Sequence, residues 1–186
     1  MRKYRITKYD PALRDEEGRY MADDWTDWSD IGKSYNGSML DANDYKEIEN
    51  KYIEIAAKIL KHKTVTTMEI EDLEDPHEAE EVFKYINLFR DKKIELSKTD
   101  EELWVEIRNG KRIISIDNIP GVLRLLLRGL LWCRLVTGGM KLYTGYDFYM
   151  YCECDSIPDE IIGYGKREGI FFECLENDRW IGYLTN

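Results

Sequence analysis

The sequence predicts an α+β fold: a largely antiparallel sheet with about three main helices in a single domain. Three observations carry this. Apolar residues recur at helical spacing in several stretches. They alternate with polar residues at strand spacing in others. The two kinds of segment are interspersed without the regular strand–helix–strand order of a parallel sheet. The 186 residues, 43% hydrophobic and 34% charged, suit one globular domain spanning 1–186.

The elements follow in order. Lys3–Tyr9 alternates polar and apolar residues and reads as a strand, broken by Asp10-Pro11. Residues 1–40 include an irregular acidic and aromatic N-terminal segment, expected to pack on the domain, with a short helix near Ala22–Trp28. A helix over 42–61 places Tyr45, Ile48, Tyr52, Ile55 and Ile59 on one stripe, with Asp41 or Asn43 as its cap. A strand follows at Val65–Ile70. A second helix over 76–90 opens at Asp75-Pro76 and buries Val82, Phe83, Ile86 and Phe89. Leu103–Arg108 and Lys111–Ile116 flank Asn109-Gly110 and predict a hairpin with a type I′ turn. A leucine-rich helix over 120–135 ends at Gly138-Gly139, with Arg124 and Arg128 on its less apolar side. Strands are expected at Lys141–Cys154, Gly169–Leu175 and Trp180–Leu184.

The net charge of −10 is uneven: residues 1–81 hold 21 acidic and 12 basic side chains, and residues 82–186 hold 16 and 15. Direct nucleic-acid binding needs the opposite sign, so none is expected. An acidic half suits solubility or steering toward a basic partner. No apolar run is long enough to span a bilayer, and the basic N-terminus lacks the apolar core of a signal peptide. The expected address is the cytoplasm, without membrane contact. Cys133, Cys152, Cys154 and Cys174 show no metal-ligand spacing and read as reduced, buried hydrophobes, with Cys152 and Cys154 on one face of a strand.

No phosphate-binding glycine loop, HExxH pair or nucleophile elbow is present, and no catalytic residue, cofactor or metal is expected. A Cys133–His77 nucleophile pair is disfavoured by the leucines around Cys133. The densest set of acids with interleaved aromatics is Asp23, Asp24, Trp25, Asp27, Trp28 and Asp30. Aromatic anchors rimmed by steering charges are the chemistry of a protein-binding hot spot, so these six form the candidate partner-binding set. The alternative is that Trp25 and Trp28 are core residues of an N-terminal flap, since large aromatics are usually buried. In the tyrosine-rich stretch Tyr143–Tyr151, Asp147 is expected to pair with Arg124 or Arg128.

Several spaced motifs add a resemblance: Tyr4-Arg-Ile-Thr-Lys-Tyr9-Asp-Pro11, Trp28-Ser-Asp-Ile-Gly32, Leu131-Trp-Cys-Arg-Leu135, Gly145-Tyr-Asp-Phe-Tyr-Met-Tyr151 and Gly169-Ile-Phe-Phe-Glu173. Together they resemble a group of little-characterised bacterial proteins similar to immunity proteins of polymorphic or contact-dependent toxin systems. The resemblance implies an inhibitor, not an enzyme, that binds a cognate toxin domain in the cytosol. An acidic inhibitor would suit a basic, nuclease-type toxin. The alternatives are a small carboxylate-based enzyme, if Asp23, Asp27 and Asp30 converge in a pocket, or a generic interaction module. Neither the toxin's identity nor the oligomeric state follows from the residues.

Overall fold

The computed structural model describes residues 1–76, 79–176 and 179–183. Among the described residues it is mixed α+β, as expected, with five α-helices where about three were expected. Strand β1 is Arg2–Thr7, and the two-residue strands β2 (Ser34–Tyr35) and β3 (Ser38–Met39) form a small separate hairpin. Helix α1 (Ala42–His62) is followed by β4 (Thr67–Glu74), α2 (Ala79–Asp91) and α3 (Lys98–Arg108). Then come β5 (Ile113–Ser115), α4 (Ile119–Leu127), β6 (Trp132–Thr137), β7 (Met140–Thr144) and β8 (Met150–Cys154). The chain closes with α5 (Asp159–Arg167), β9 (Phe171–Glu176) and β10 (Arg179–Tyr183). Eight strands make one antiparallel sheet in the order β10-β9-β1-β8-β7-β6-β4-β5. Among the described residues no helix is long and apolar enough to cross a membrane.

One face of the sheet carries the core. Tyr4, Ile6, Leu135, Leu142, Met150, Cys152 and Phe172 all lie there, nearly or fully buried. Helix α5 comes so close that a Cβ on Gly165 would meet the Phe172 ring at 2.6 Å and Ile55 at 3.3 Å. Only glycine fits that crossing. The other face is a polar–aromatic row in register: Glu71, Arg134, Tyr143, Tyr151, Arg5 and Glu173 sit side by side across six strands.

The first helix is capped as its sequence requires. The Asp41 carboxylate accepts from the Asn43 and Asp44 N–H groups, and Asp44 reaches back to Asp41.

Several expectations are corrected. No hairpin forms at Asn109-Gly110, because Lys98–Arg108 is helix α3. Ser97 caps it at the Asp100 N–H, Asp100 and Glu101 sit in its positive first turn, and Leu103, Trp104 and Ile107 make its buried stripe. Asn109 has φ −80°, whereas Gly110 has φ +104°, so only one residue is left-handed. The Gly110 and Lys111 N–H groups return to the Ile107 and Glu106 carbonyls, which is a glycine helix end and not a type I′ turn. The leucine-rich helix stops at Leu127 for the same reason: Gly129 has φ +66°, and Gly129 and Leu130 bond back to Leu126 and Leu125. Cys133 and Leu135 therefore belong to strand β6, and Gly138-Gly139 is the turn of the β6–β7 hairpin.

The expected strand Lys141–Cys154 is two strands separated by a turn at 145–149. Between the expected strands ending at Cys154 and starting at Gly169, residues 159–167 form helix α5. No helix forms at Ala22–Trp28; a single 3-10 turn spans Trp28–Asp30. Phe83, expected to be buried, is 73% exposed. Pro76, the expected start of the second helix, is not helical, and α2 is described from Ala79; residues 77–78, with His77 of the disfavoured nucleophile pair, lie outside the described ones.

Candidate functional site

The six acidic and aromatic residues of the N-terminal segment do not act alike. Trp25 is core: it is 7% exposed and packs on Tyr45 and Phe148, with ring centroids 5.5 and 4.9 Å away. Its carbonyl accepts from the Tyr9 hydroxyl at 2.9 Å. Asp24 lies 2.7 Å from the Lys8 ammonium, close but not aligned as a hydrogen bond. That ammonium is 4.1 Å from the centroids of both the Tyr9 and Trp25 rings. Burial pushes Lys8 down to about 8, against the opposing pull of Asp24. Asp30 is 7% exposed and accepts from Lys33 at 2.7 Å and from the Thr26 N–H at 2.8 Å. Burial alone would raise its pKa, but Lys33, Thr26 and Tyr35 outweigh that and hold it at about 2. These three residues therefore anchor the segment to the domain. Asp23 is exposed beside Asn36, whose amide donates to the Asp23 carbonyl at 2.9 Å.

Asp27 and Trp28 do something else. They form one wall of a cleft of about 200 Å³. The second wall is the C-terminal end of α4, Leu126–Gly129, and the third is Trp132 with Tyr146 and Asp147 of the β7–β8 turn. Trp28 is fixed by its indole N–H, which donates to the Arg128 carbonyl at 3.1 Å, and by edge-on packing on Phe89 at 4.9 Å. Trp132 and Tyr146 sit 5.1 Å apart, and Tyr146 is 78% exposed.

The turn that presents Tyr146 and Asp147 is strained. Asp147 and Phe148 both lie in the left-handed region, at φ 56° and 59°. Each non-glycine residue there costs roughly 1–2 kcal/mol. The cost is offset by Phe148, which is buried against Trp25, Tyr45 and Tyr52. The buried ring thus holds the turn, and its neighbours Tyr146 and Asp147 face outward. Asp147 does not pair with Arg124 or Arg128 as expected. Those arginines face inward: Arg128 makes a two-pronged pair with Glu49 at 2.7 Å, and Arg124 meets Asp100 at 2.8 Å.

Two acidic side chains, Asp27 and Asp147, line the cleft. Among the described residues neither Asp27 nor Asp147 is in an ion pair. The C-terminal end of α4 also lines the cleft, with its Leu126 and Arg128 carbonyls accepting from Thr144, Gly129 and Trp28. Asp23 and Asp30 do not line it, so the three aspartates of the enzyme reading do not converge there. Sequence reasoning missed Trp132, Tyr146 and Asp147; the signal was an acid next to a tyrosine in a glycine-led break between strands, Gly145-Tyr146-Asp147.

The four thiols are free, and Cys152 and Cys154 share a face with their sulfurs 3.8 Å apart. Burial pushes Cys133 up to about 12, far from a thiolate nucleophile at neutral pH. No protein-family model matches the chain, and neither the curated proteins nor the solved structures contain a significant match.

Proposed function

We propose that this chain is a protein-binding inhibitor that docks a basic partner on the cleft between Asp27, Trp28, Trp132, Tyr146 and Asp147. The observation that carries the reading is the cleft itself, where Asp27 and Asp147 stand among Trp28, Trp132 and Tyr146. Asp24, Asp30, Glu49, Asp100 and Glu173 all have a cation, whereas the two acids of the aromatic cleft have none among the described residues. Surface carboxylates beside exposed aromatic rings supply both the steering field and the anchors of a protein interface. Together with the motifs that resemble immunity proteins, this supports a cytosolic immunity protein that neutralises a cognate, basic, nuclease-type toxin domain.

The test is capture of the partner from the source cells by the wild-type chain and by an Asp27→Asn/Asp147→Asn variant, followed by assay of the captured protein's activity. The reading predicts a basic protein that the wild type retains and inhibits, and that the variant loses. An acidic partner, or equal inhibition by both chains, would contradict it.

A further inference from the structure

The chemistry of the cleft narrows what part of a partner it can take. Its size is the first constraint. About 200 Å³ admits one long side chain, below the roughly 300–1,000 Å³ of pockets that take small-molecule ligands. Its polarity is the second. The Thr26 hydroxyl donates to Asp30 at 3.3 Å, the Thr144 hydroxyl to the Leu126 carbonyl at 3.5 Å and the Trp28 indole to the Arg128 carbonyl at 3.1 Å. Those donors are turned into the protein. Toward the cleft stand Asp27, Asp147 and the rings of Trp28, Trp132 and Tyr146, a set that favours a cation beside aromatic faces.

The third constraint separates the two cations that proteins carry. Lysine ammonium is compact and strongly hydrated, so entering an aromatic cleft strips it of water. Guanidinium is planar and weakly hydrated; it stacks on indole faces and donates in several directions in its own plane. Asp27 and Asp147 both line the cleft from separate segments of the chain, an arrangement that suits a forked donor better than a point charge, and Asp27 already accepts from the Ser29 N–H at 2.5 Å.

We infer that the cleft receives a single arginine side chain of the partner, stacked among Trp28, Trp132 and Tyr146 with its N–H groups toward Asp27 and Asp147. The inference rests on the protein-binding reading above and deepens it. Arginine is also the side chain that holds phosphate by a two-pronged contact. Its capture would disable a partner acting on nucleic acid without the inhibitor having to fill the whole active site.

The test uses N-acetyl-arginine methylamide as the probe and its neutral isostere, N-acetyl-citrulline methylamide, as the comparison. The indole N–H signals of the protein's five tryptophans are followed by NMR. The expected result is a saturable shift of the Trp28 and Trp132 signals with the arginine probe, and binding about tenfold weaker for citrulline and for the corresponding lysine probe. Asp27→Asn/Asp147→Asn weakens arginine binding to a similar degree, while an unchanged unfolding midpoint shows that the variant is folded. Equal binding of arginine and citrulline, an absent shift, or tighter lysine binding would overturn the inference. If a captured partner requires Asp147 while the arginine probe does not bind, the arginine inference falls and the binding reading stands. If the probe binds but no basic protein competes with it, the site stands and the inhibitor reading falls.

Discussion

Glu49 and Glu173 are almost fully buried and each faces two arginines, Arg128 and Arg124 for the first, Arg5 and Arg14 for the second. Asp27 and Asp147 stand at the surface beside three aromatic rings and are in no ion pair among the described residues. Both pairs belong to a chain of net charge −10. In the interior a carboxylate must be neutralised, because an uncompensated buried charge is too costly. At the surface an unpaired carboxylate is tolerated by solvation and stays available to an incoming ligand. Within these two pairs, the buried acids are neutralised and hold the fold, while the two at the cleft are in no ion pair among the described residues.

The contrast is broken or sharpened most strongly at Glu49. Glu49→Gln leaves Arg128 charged at 3% exposure and is expected to cost about 3–5 kcal/mol in urea unfolding. A loss below about 1 kcal/mol would mean that interior pairing contributes little beyond a surface pair.

Lys8 gives the next effect, and its sign is opposite to that of a usual salt bridge. Its folded value of about 8 lies below the ordinary 10.5, so the fold prefers the neutral amine. Stability from this group is absent below about pH 8 and gained as pH rises toward 10.5. The wild type should therefore gain on the order of 3 kcal/mol relative to Lys8→Met across that window. A flat difference would show that Asp24 and the two rings solvate the ammonium fully.

Asp30 is smaller and runs the other way in pH. Its folded value of about 2 lies below the ordinary 3.8, so its stabilisation is complete above that value and is lost as pH falls through about 2. The stability difference between wild type and Asp30→Asn should reach about 2 kcal/mol near neutral pH and shrink steadily below pH ~4. A pH-independent difference would assign the effect to packing and not to the Lys33 pair.

How much of this was legible beforehand differs by element. Helix α1 was read almost to the residue, because its stripe, its Asp41 cap and its length all agree. Asn109-Gly110 was misread because a glycine with positive φ serves two purposes. It makes a type I′ turn only if the residue before it is also left-handed, and it ends a helix when that residue is not. The apolar residues Leu103, Val105 and Ile107 fit alternation as well as helical spacing; what decides is Ser97, Asp100 and Glu101 upstream, which start a helix. The same oversight lengthened the leucine-rich helix through Gly129.

At the site, the N-terminal half of the cleft was visible as Asp27 and Trp28 among acids. Which of the six were anchors was not, since for Asp24 and Trp25 that depends on Lys8 and Phe148 arriving from other parts of the chain. Trp132 and Tyr146 meet only through the β6–β7–β8 register, which no local pattern contains.

The smallest expected effect on stability is also the most informative experiment. Asp27→Asn/Asp147→Asn removes two surface carboxylates without cation partners and should change unfolding stability by no more than about 0.5 kcal/mol. The decisive measurement is the association rate of the captured basic partner with wild type and with this variant at low and physiological salt. The account predicts a slower association for the variant, with a weaker dependence on salt than the wild type shows. Equal rates at both salt concentrations, with stability unchanged, would contradict the claim that the unpaired acids of the cleft are the ones that bind.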